Sequence, residues 1–128
     1  MTTRMRMGEL TRRAGVTPRT VRYYESIGLM RAPRREHGGQ HYYAEDAVAR
    51  LRKIEQLKLL GLTLDEIREV IELYFTDPGG ARAKRKVLTM LRQHLTEIDD
   101  KIAEVHKLRC DLQEHIERFE RWLNEHDR

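Results

Sequence analysis

The feature that most constrains the fold is an uninterrupted stretch from Ala81 to Leu123, which contains neither proline nor glycine. Its apolar residues recur in alternating steps of three and four. With Leu88 as heptad position a, every a and d position up to Leu123 is apolar except Arg109. Such a run predicts a coiled coil. A helix of about 40 residues extends about 60 Å, so it cannot bury its seam against the small remainder of the chain. A partner helix is needed, and a second copy of this chain is the most economical one.

The predicted dimer seam is the row of apolar a and d positions in the first part of this helix. Its members are Leu88, Leu91, Leu95, Ile98, Ile102, Val105 and Leu112. Arg109 has two interpretations: it is a polar residue that sets register and orientation, or it marks where the pairing ends. The cost of a core arginine without a carboxylate partner favours the second.

Val16 to Leu29 predicts a short helix with a basic outer face. Thr17 is a good N-cap and Pro18 suits the first helical position. Gly28 suits the left-handed residue that follows a helix, and Leu29 can pack back beneath it. We expect the helix to span Thr17–Ile27, a length that fits a DNA major groove.

The net charge of +4 conceals a strong asymmetry. Residues 1–35 contain nine arginines and two glutamates, whereas residues 61–128 contain twelve Lys/Arg and fifteen Asp/Glu. A localised positive field indicates binding to phosphates. The alternative from charge alone is a surface that only keeps the protein in solution.

The elements around this helix predict a helix-turn-helix with further helices. A helix over Met7–Ala14, ended by Gly15, gives the helix-turn-helix spacing. The basic segment after Leu29, with Gly38 and Gly39 in its middle, predicts a hairpin whose second arm contains His41, Tyr42 and Tyr43. This hairpin is either a DNA-binding wing or a mere connector.

Two more amphipathic helices follow the hairpin. The first spans Glu45–Leu60; the second starts at a capping box of Thr63 and Glu66 and stops at Thr76–Gly80. Their apolar stripes indicate core positions rather than ligand contacts. The stripe residues are Val48, Leu51, Ile54, Leu57 and Leu60 in the first, and Leu64, Ile67, Ile71 and Phe75 in the second.

Several classes of protein are disfavoured. A single cysteine, Cys110, leaves no intramolecular disulfide and no four-cysteine zinc site. The chain has no apolar run long enough to span a membrane and no signal-peptide core, so we expect a cytoplasmic protein. Paired carboxylates in a pocket signature, a phosphate-binding glycine loop and a nucleophile–base pair are all missing, so we expect no enzyme.

The order of these parts resembles the MerR family of bacterial transcription regulators, from about Met7 to Tyr74, and the long helix extends the match. The motifs that carry the resemblance are Gly8-Glu9-Leu10, Val16 to Glu25, Gly28-Leu29, Tyr43, Arg50-Leu51 and Leu60 to Ile67. Each motif alone is weak evidence, but together, in order and at these separations, they are specific.

The resemblance implies a mainly α fold: a winged helix-turn-helix head with two further helices, then a long C-terminal dimerisation helix in an antiparallel coiled coil. It implies a DNA-binding domain over 1–76 and a dimerisation helix over 77–128. A homodimer would bind a palindromic promoter whose −35 and −10 elements are too far apart, and would bend and untwist that DNA. RNA polymerase at the promoter is the further partner implied.

The resemblance also implies which side chains meet the DNA. One of the two tyrosines is expected to contact phosphate, while the other packs against the third helix. His41 stands where many relatives have an arginine that anchors phosphate, and Gln40 can still hydrogen-bond. The implied DNA-binding residues are Thr17, Arg19, Thr20, Arg22, Tyr23, Tyr24, Arg34, Arg35, Gln40 and His41.

No cofactor or metal is expected, and the effector is not identified. Metal-sensing relatives carry cysteines at the start of the dimer helix, where this chain has none. Two dimer copies could in principle build a metal site from His106, Cys110 and His115, and Cys110 could serve as a redox switch. The preferred interpretation is that these histidines face solvent and that Cys110 is a small apolar residue beside the seam. Two other functions stay open from the residues: a coiled-coil adaptor whose basic head docks on an acidic protein, and a DNA-architectural factor without transcriptional control.

Overall fold

The computed structural model describes residues 4–35 and 39–127. In this part of the chain it has five helices and one two-stranded sheet. The elements are α1 (Met7–Ala14), α2 (Pro18–Ser26), β1 (Arg34–Arg35), β2 (His41–Tyr42), α3 (Glu45–Leu59), α4 (Leu64–Thr76) and α5 (Ala81–His126). The mainly α class, with a small wing and a long C-terminal helix, is confirmed.

Internal contacts divide the chain into two compact units, residues 1–90 and residues 91–128. We call them the head and the distal helix. The head contains α1 to α4, the hairpin and the beginning of α5. A division by contacts does not test the functional boundary predicted after residue 76, which stays a prediction.

The helix-turn-helix of α1 and α2 follows from local signals in the sequence. α1 ends at Gly15, whose φ of +72° is a left-handed conformation that favours glycine. The Thr17 hydroxyl accepts a hydrogen bond from the backbone N–H of Thr20 at 3.1 Å, and Pro18 is the first residue of α2. Gly28 has a φ of +78°, and the Leu29 N–H turns back to the Tyr24 carbonyl at 2.8 Å. The predicted first and last residues, Thr17 and Ile27, are therefore the N-cap and C-cap of α2.

The hairpin pairs β1 and β2 antiparallel, with Arg34 opposite Tyr42 and Arg35 opposite His41. The predicted second arm included Tyr43, and this detail is wrong. Tyr43 instead forms a bridge with Met5 through two backbone hydrogen bonds of 2.8 and 3.0 Å. A backbone that pairs with the segment before α1 is not available to the hairpin ladder. Of the predicted glycine turn, Gly38 lies outside the described residues.

The core of the head lies among α1, α3 and α4, with the inner side of α2 against it. Leu10, Leu51 and Ile54 are fully buried in it. Three predicted core residues are not: Leu60 is 54% exposed, Phe75 is 45% exposed, and Leu64, the first residue of α4, is only partly buried. Leu60 follows the last residue of α3 and Phe75 lies in the last turn of α4, where the stripe runs past the packed part of each helix.

The start of α4 confirms the predicted capping box. The Thr63 hydroxyl accepts from the Glu66 N–H at 3.2 Å, and the Glu66 carboxylate accepts from the Thr63 N–H at 2.9 Å. α4 ends at Thr76, as predicted. Both ends of the helix are thus set by residues within it or next to it.

α5 is one continuous helix, as its lack of proline and glycine predicted. Ala83 and Val87, at its beginning, are buried in the head. In the distal helix the apolar side chains from Leu95 to Leu123 are between 52% and 69% exposed. None of the helices in the described ranges is both long and apolar enough to cross a bilayer.

Candidate nucleic-acid interface

The outer face of α2 carries the predicted base-reading and phosphate-binding side chains. Arg19, Arg22 and Tyr23 are exposed there, and Tyr23 has 53% of its surface accessible. Within residues 4–35 and 39–127, neither guanidinium has an ion-pair or hydrogen-bond partner. Thr17 and Thr20 lie at the beginning of the same helix, with their hydroxyl oxygens 2.9 Å apart. The two arginines of this face can therefore bind a polyanion without first breaking a hydrogen bond or ion pair inside the protein.

Tyr24 points the other way, although it follows Tyr23 directly. It is only 2% exposed, and its hydroxyl donates to the Glu55 carboxylate at 2.8 Å and accepts from Lys58 Nζ at 3.1 Å. Burial raises the pKa of the Tyr24 hydroxyl, and its hydrogen bond raises the pKa of Lys58. Of the two tyrosines, Tyr24 is the one that packs against α3, which leaves Tyr23 for an outside contact.

Lys58 on α3 lies beside the outer face of α2 and was not among the predicted site residues. It lines a shallow cavity of about 410 Å³ together with Arg19, Thr20 and Tyr23. Two cations, a hydroxyl and a phenol around one concave surface suit a phosphate group. In the sequence, Lys58 is one of several charged residues on the polar side of α3. Only the packing of α3 against α2 brings it to this surface.

The hairpin presents the other predicted contacts. Arg34, Arg35, Gln40 and His41 are all exposed. Arg6, a cation that sequence reasoning missed here, reaches the second arm: it donates to the His41 carbonyl at 2.9 Å and to the Gln40 side chain. Gln40 therefore already has a partner in the protein. Arg34 and Arg35 supply the positive charge of the hairpin's first arm.

Two arginines hold the segment that follows α2. The side chain of Arg50 is largely buried, and it donates to the Leu29 carbonyl at 2.8 Å and to the Glu72 carboxylate at 2.6 Å. Arg68 on α4 donates to the Ile27 carbonyl at 2.7 Å. The segment at the C-terminal end of α2 is thus bonded to both α3 and α4.

A bidentate ion pair connects the other half of the helix-turn-helix to α3. Arg13 donates two hydrogen bonds, of 2.7 and 2.8 Å, to the Glu45 carboxylate. The same bonds lower the pKa of Glu45. The pair is solvent-exposed, so we expect it to orient α1 more than to stabilise the fold.

The described ranges contain no group of three or more His, Cys, Asp or Glu side chains placed to hold a metal ion. Cys110 is exposed on the distal helix. A redox role of Cys110 and a metal site built across two chains stay predictions.

Two family profiles match the chain in overlapping halves. The profile described as MerR HTH family regulatory protein matches residues 5–73, and the one described as MerR, DNA binding matches residues 48–115. The chain belongs to the MerR family. Members of this family are DNA-binding transcription regulators, and this chain is one of them.

Two MerR-family relatives cover nearly the whole chain. The HTH-type transcriptional regulator HmrR of Rhizobium leguminosarum bv. viciae is 39% identical over 112 residues, 88% of this chain and 83% of that protein. The crystal structure of the transcription regulator PbrR691 from Ralstonia metallidurans CH34, in complex with lead(II), is 33% identical. It has a TM-score of 0.66 and covers 86% of this chain and 83% of that chain.

A second MerR-family structure shares the fold. HiNmlR, a regulator lacking the sensor domain and bound to promoter DNA, has a TM-score of 0.53 at 20% identity, over 84% of this chain and 77% of that one. The fold of this chain therefore recurs within the family.

Proposed function

We propose that this MerR-family regulator binds palindromic promoter DNA as a homodimer, with α2 of each chain in the major groove and the hairpin as a wing on the flanking backbone. The observation that carries the proposal is the outer face of α2. There Arg19, Arg22 and Tyr23 are exposed together, and neither arginine forms a hydrogen bond or ion pair with the described residues.

The chemistry of that face suits both kinds of DNA contact. An arginine can donate two hydrogen bonds to guanine O6 and N7, or bind phosphate, and a tyrosine hydroxyl can donate to a phosphate oxygen. Thr17 and Thr20 add hydroxyls at the beginning of the helix. Lys58 gives a further phosphate contact from α3. We assign Tyr24 a supporting role instead, because its hydroxyl is engaged by Glu55 and Lys58.

The wing adds contacts outside the major groove. Arg34 and Arg35 on the first arm are the charged donors, and His41 lies opposite Arg35 on the second arm. We propose that His41 supplies hydrogen bonds to the DNA backbone through its ring nitrogens. We propose that Gln40 reaches DNA only after exchanging its bond with Arg6.

The homodimer is supported by the exposed apolar seam of the distal helix. Side chains at a and d positions are half exposed over several consecutive turns, which is costly in water unless a partner covers them. A second copy offers a matching seam. We propose antiparallel pairing through Leu88, Leu91, Leu95, Ile98, Ile102, Val105 and Leu112.

We further propose that the dimer regulates transcription by reshaping its promoter. The family resemblance implies −35 and −10 elements that are too far apart, and bending and untwisting would realign them for RNA polymerase. The protein would then act in the cytoplasm, with its promoter DNA. We assign no cofactor and no metal, because Cys110 is the single cysteine and a thiolate site like those of metal-sensing relatives needs several.

The test is a footprint and affinity titration on the DNA upstream of the gene. We expect a protected palindrome, and we expect Arg19→Ala or Arg22→Ala to raise the dissociation constant about tenfold or more, since a bidentate base contact is worth about 1–3 kcal/mol. Where the lost contact is to phosphate, the slope of log affinity against log salt should fall by about 0.9.

Arg121→Ala is the matched control. It removes one positive charge from an exposed position of α5 outside the seam, and its affinity should stay within about twofold of wild type. Equal losses in all three variants would show that only net charge matters. A wild-type protein that protects no palindrome at moderate salt would contradict the proposal itself.

A further inference from the structure

A hydrogen bond between side chains links the wing directly to α2. The Tyr43 hydroxyl donates to the Glu25 carboxylate at 2.8 Å. Tyr43 is the residue immediately after β2, the second arm of the wing, and Glu25 lies in the last turn of α2. The ring of Tyr43 is buried, with only 5% of the residue exposed, whereas Glu25 is partly exposed, so the bond lies at the edge of the packed head.

Tyr43 is held from its backbone as well. Its N–H and C=O pair with Met5, which lies just before α1 and is itself buried. The residue therefore joins three parts of the head: the segment before α1, the wing and α2. Burial and the neighbouring carboxylate of Glu25 both raise the pKa of the Tyr43 hydroxyl, so it remains a donor at every pH at which the protein would bind DNA.

We propose that Tyr43 and Glu25 are positioning residues that hold the wing at a fixed place relative to α2 and thereby set discrimination between operator and other DNA. The inference rests on the proposed function, in which α2 and the wing contact the same duplex. Neither residue needs to touch DNA for this role.

The physical reason is that specific and non-specific binding depend on different properties of the head. Non-specific affinity comes mainly from charge near phosphates, which changes little when the wing shifts by a small distance. Specific affinity requires α2 to lie in register with base edges while the wing meets the backbone, and contacts that are slightly misplaced lose most of their strength. A link between the two elements therefore acts on the ratio of the two affinities.

The link from Tyr24 to α3 does not serve the same purpose. Tyr24 joins α2 to Glu55 and Lys58, all within the helical part of the head. Arg6 joins the wing to the segment before α1. Among the side-chain hydrogen bonds of the described ranges, the bond between Tyr43 and Glu25 is the one that runs from the base of the wing to α2.

The experiment compares Tyr43→Phe with wild type on two DNA probes. One probe is the duplex that the wild-type protein selects from a randomised pool, and the other is a scrambled duplex of the same length. We expect the affinity for the selected duplex to fall about tenfold or more, as for loss of a hydrogen bond to a charged group. Affinity for the scrambled duplex should stay within about twofold.

A double-mutant cycle with Arg35→Ala shows whether the effect passes through the wing. In wild type, Arg35→Ala should weaken binding to the selected duplex. In the Tyr43→Phe background it should weaken binding by less, because the wing is no longer held in place. Tyr74→Phe is the matched control: it removes a tyrosine hydroxyl from the head that makes no hydrogen bond to the described residues, and the affinity ratio should not change.

Changes at Glu25 test the same bond from its other end and do not depend on how well Tyr43→Phe folds. Glu25→Ala should lower the ratio of the two affinities, as Tyr43→Phe does. Glu25→Gln keeps an acceptor oxygen and should restore the ratio to near the wild-type value, even where the lost negative charge raises affinity for both duplexes alike.

Two results would overturn the inference while the proposed function stands: equal losses on both duplexes, or costs of Tyr43→Phe and Arg35→Ala that simply add. If wild type does not prefer any duplex in the pool, the proposed function and the inference both fail. If Glu25→Gln lowers the ratio as much as Glu25→Ala, the carboxylate charge matters rather than the bond, and the positioning role is rejected.

Discussion

The head and the distal helix contain similar apolar residues, but these residues are buried in the head and exposed in the distal helix. In the head, Leu51, Ile54 and Ile67 are completely buried. In the distal helix, Ile98, Ile102 and Leu112 each leave more than half of their surface accessible. The head can therefore obtain its stability from contacts within one chain, whereas the apolar stripe of the distal helix can be buried only by something else.

In the proposed homodimer, this difference divides two tasks between the two regions. A head that folds on its own can hold α2 and the wing in a fixed geometry before DNA is present. The proposal makes pairing of the distal helix, and with it two-fold symmetry, a condition of DNA binding. The following experiments test whether the division is as sharp as the exposure of these side chains indicates.

The largest expected effect comes from a charge in the seam. Ile98→Lys should separate the dimer and weaken operator binding about 100-fold or more, because pairing would bury a lysine without a partner. The melting temperature of the head should be nearly unchanged. Sedimentation equilibrium and a DNA titration on the same samples measure both effects.

Gln93→Lys is the control for that change, since it introduces the same charge at an f position outside the seam. It should leave the dimer intact. If the Ile98→Lys variant were monomeric and still bound the operator with full affinity, operator binding would not require a dimer.

A smaller loss of stability is expected when a large apolar side chain is replaced by alanine. The dependence of this loss on protein concentration should differ between the head and the distal helix. Leu51→Ala should lower the free energy of unfolding by about 2–5 kcal/mol, by a similar amount at any protein concentration. Ile102→Ala should instead lower stability mainly through dissociation, so its effect should shrink as protein concentration rises.

Urea unfolding followed by circular dichroism at two concentrations, about tenfold apart, measures this contrast. A concentration-dependent loss for Leu51→Ala would mean that the head core is completed by the partner chain. A concentration-independent loss for Ile102→Ala would mean that the distal helix is covered within its own chain.

The smallest expected effect concerns local signals within the head. Thr63→Ala removes the hydroxyl that accepts from the Glu66 N–H and should cost about 1 kcal/mol of unfolding free energy. Thr89→Ala removes a hydroxyl that only donates to the Arg85 carbonyl within α5, and should stay within about 0.5 kcal/mol of wild type. Thermal unfolding of the two variants measures the difference, and equal losses would show that the cap does not stabilise the head.

Elements whose signals lie within a few residues of each other could be predicted from the sequence. The bounds of α1, the caps at Thr17 and Thr63 and the continuity of α5 all depend on hydrogen bonds or periodicity along one segment. The exposed arginines of α2 belong to the same group, because the polar side of a short capped helix can be identified from its spacing.

The errors and omissions concern residues whose partners lie far away in the chain. Tyr43 leaves the hairpin because Met5 pairs with it, and Leu60 stays exposed because α3 ends just before it. Lys58 and Arg6 reach the candidate interface only through the packing of α3 and of the segment before α1. Propensity and spacing do not report such contacts.

By itself the sequence determined the kind of elements, their order, the concentration of positive charge in the first 35 residues and the need of the long helix for a partner. These depend on composition and on patterns that repeat within a few turns. Only the tertiary structure decided that Tyr24 faces inward and Tyr23 outward, and that Tyr43 joins the wing to α2. These orientations depend on which surfaces meet when distant segments pack. The free energy of that packing cannot be inferred from any one segment.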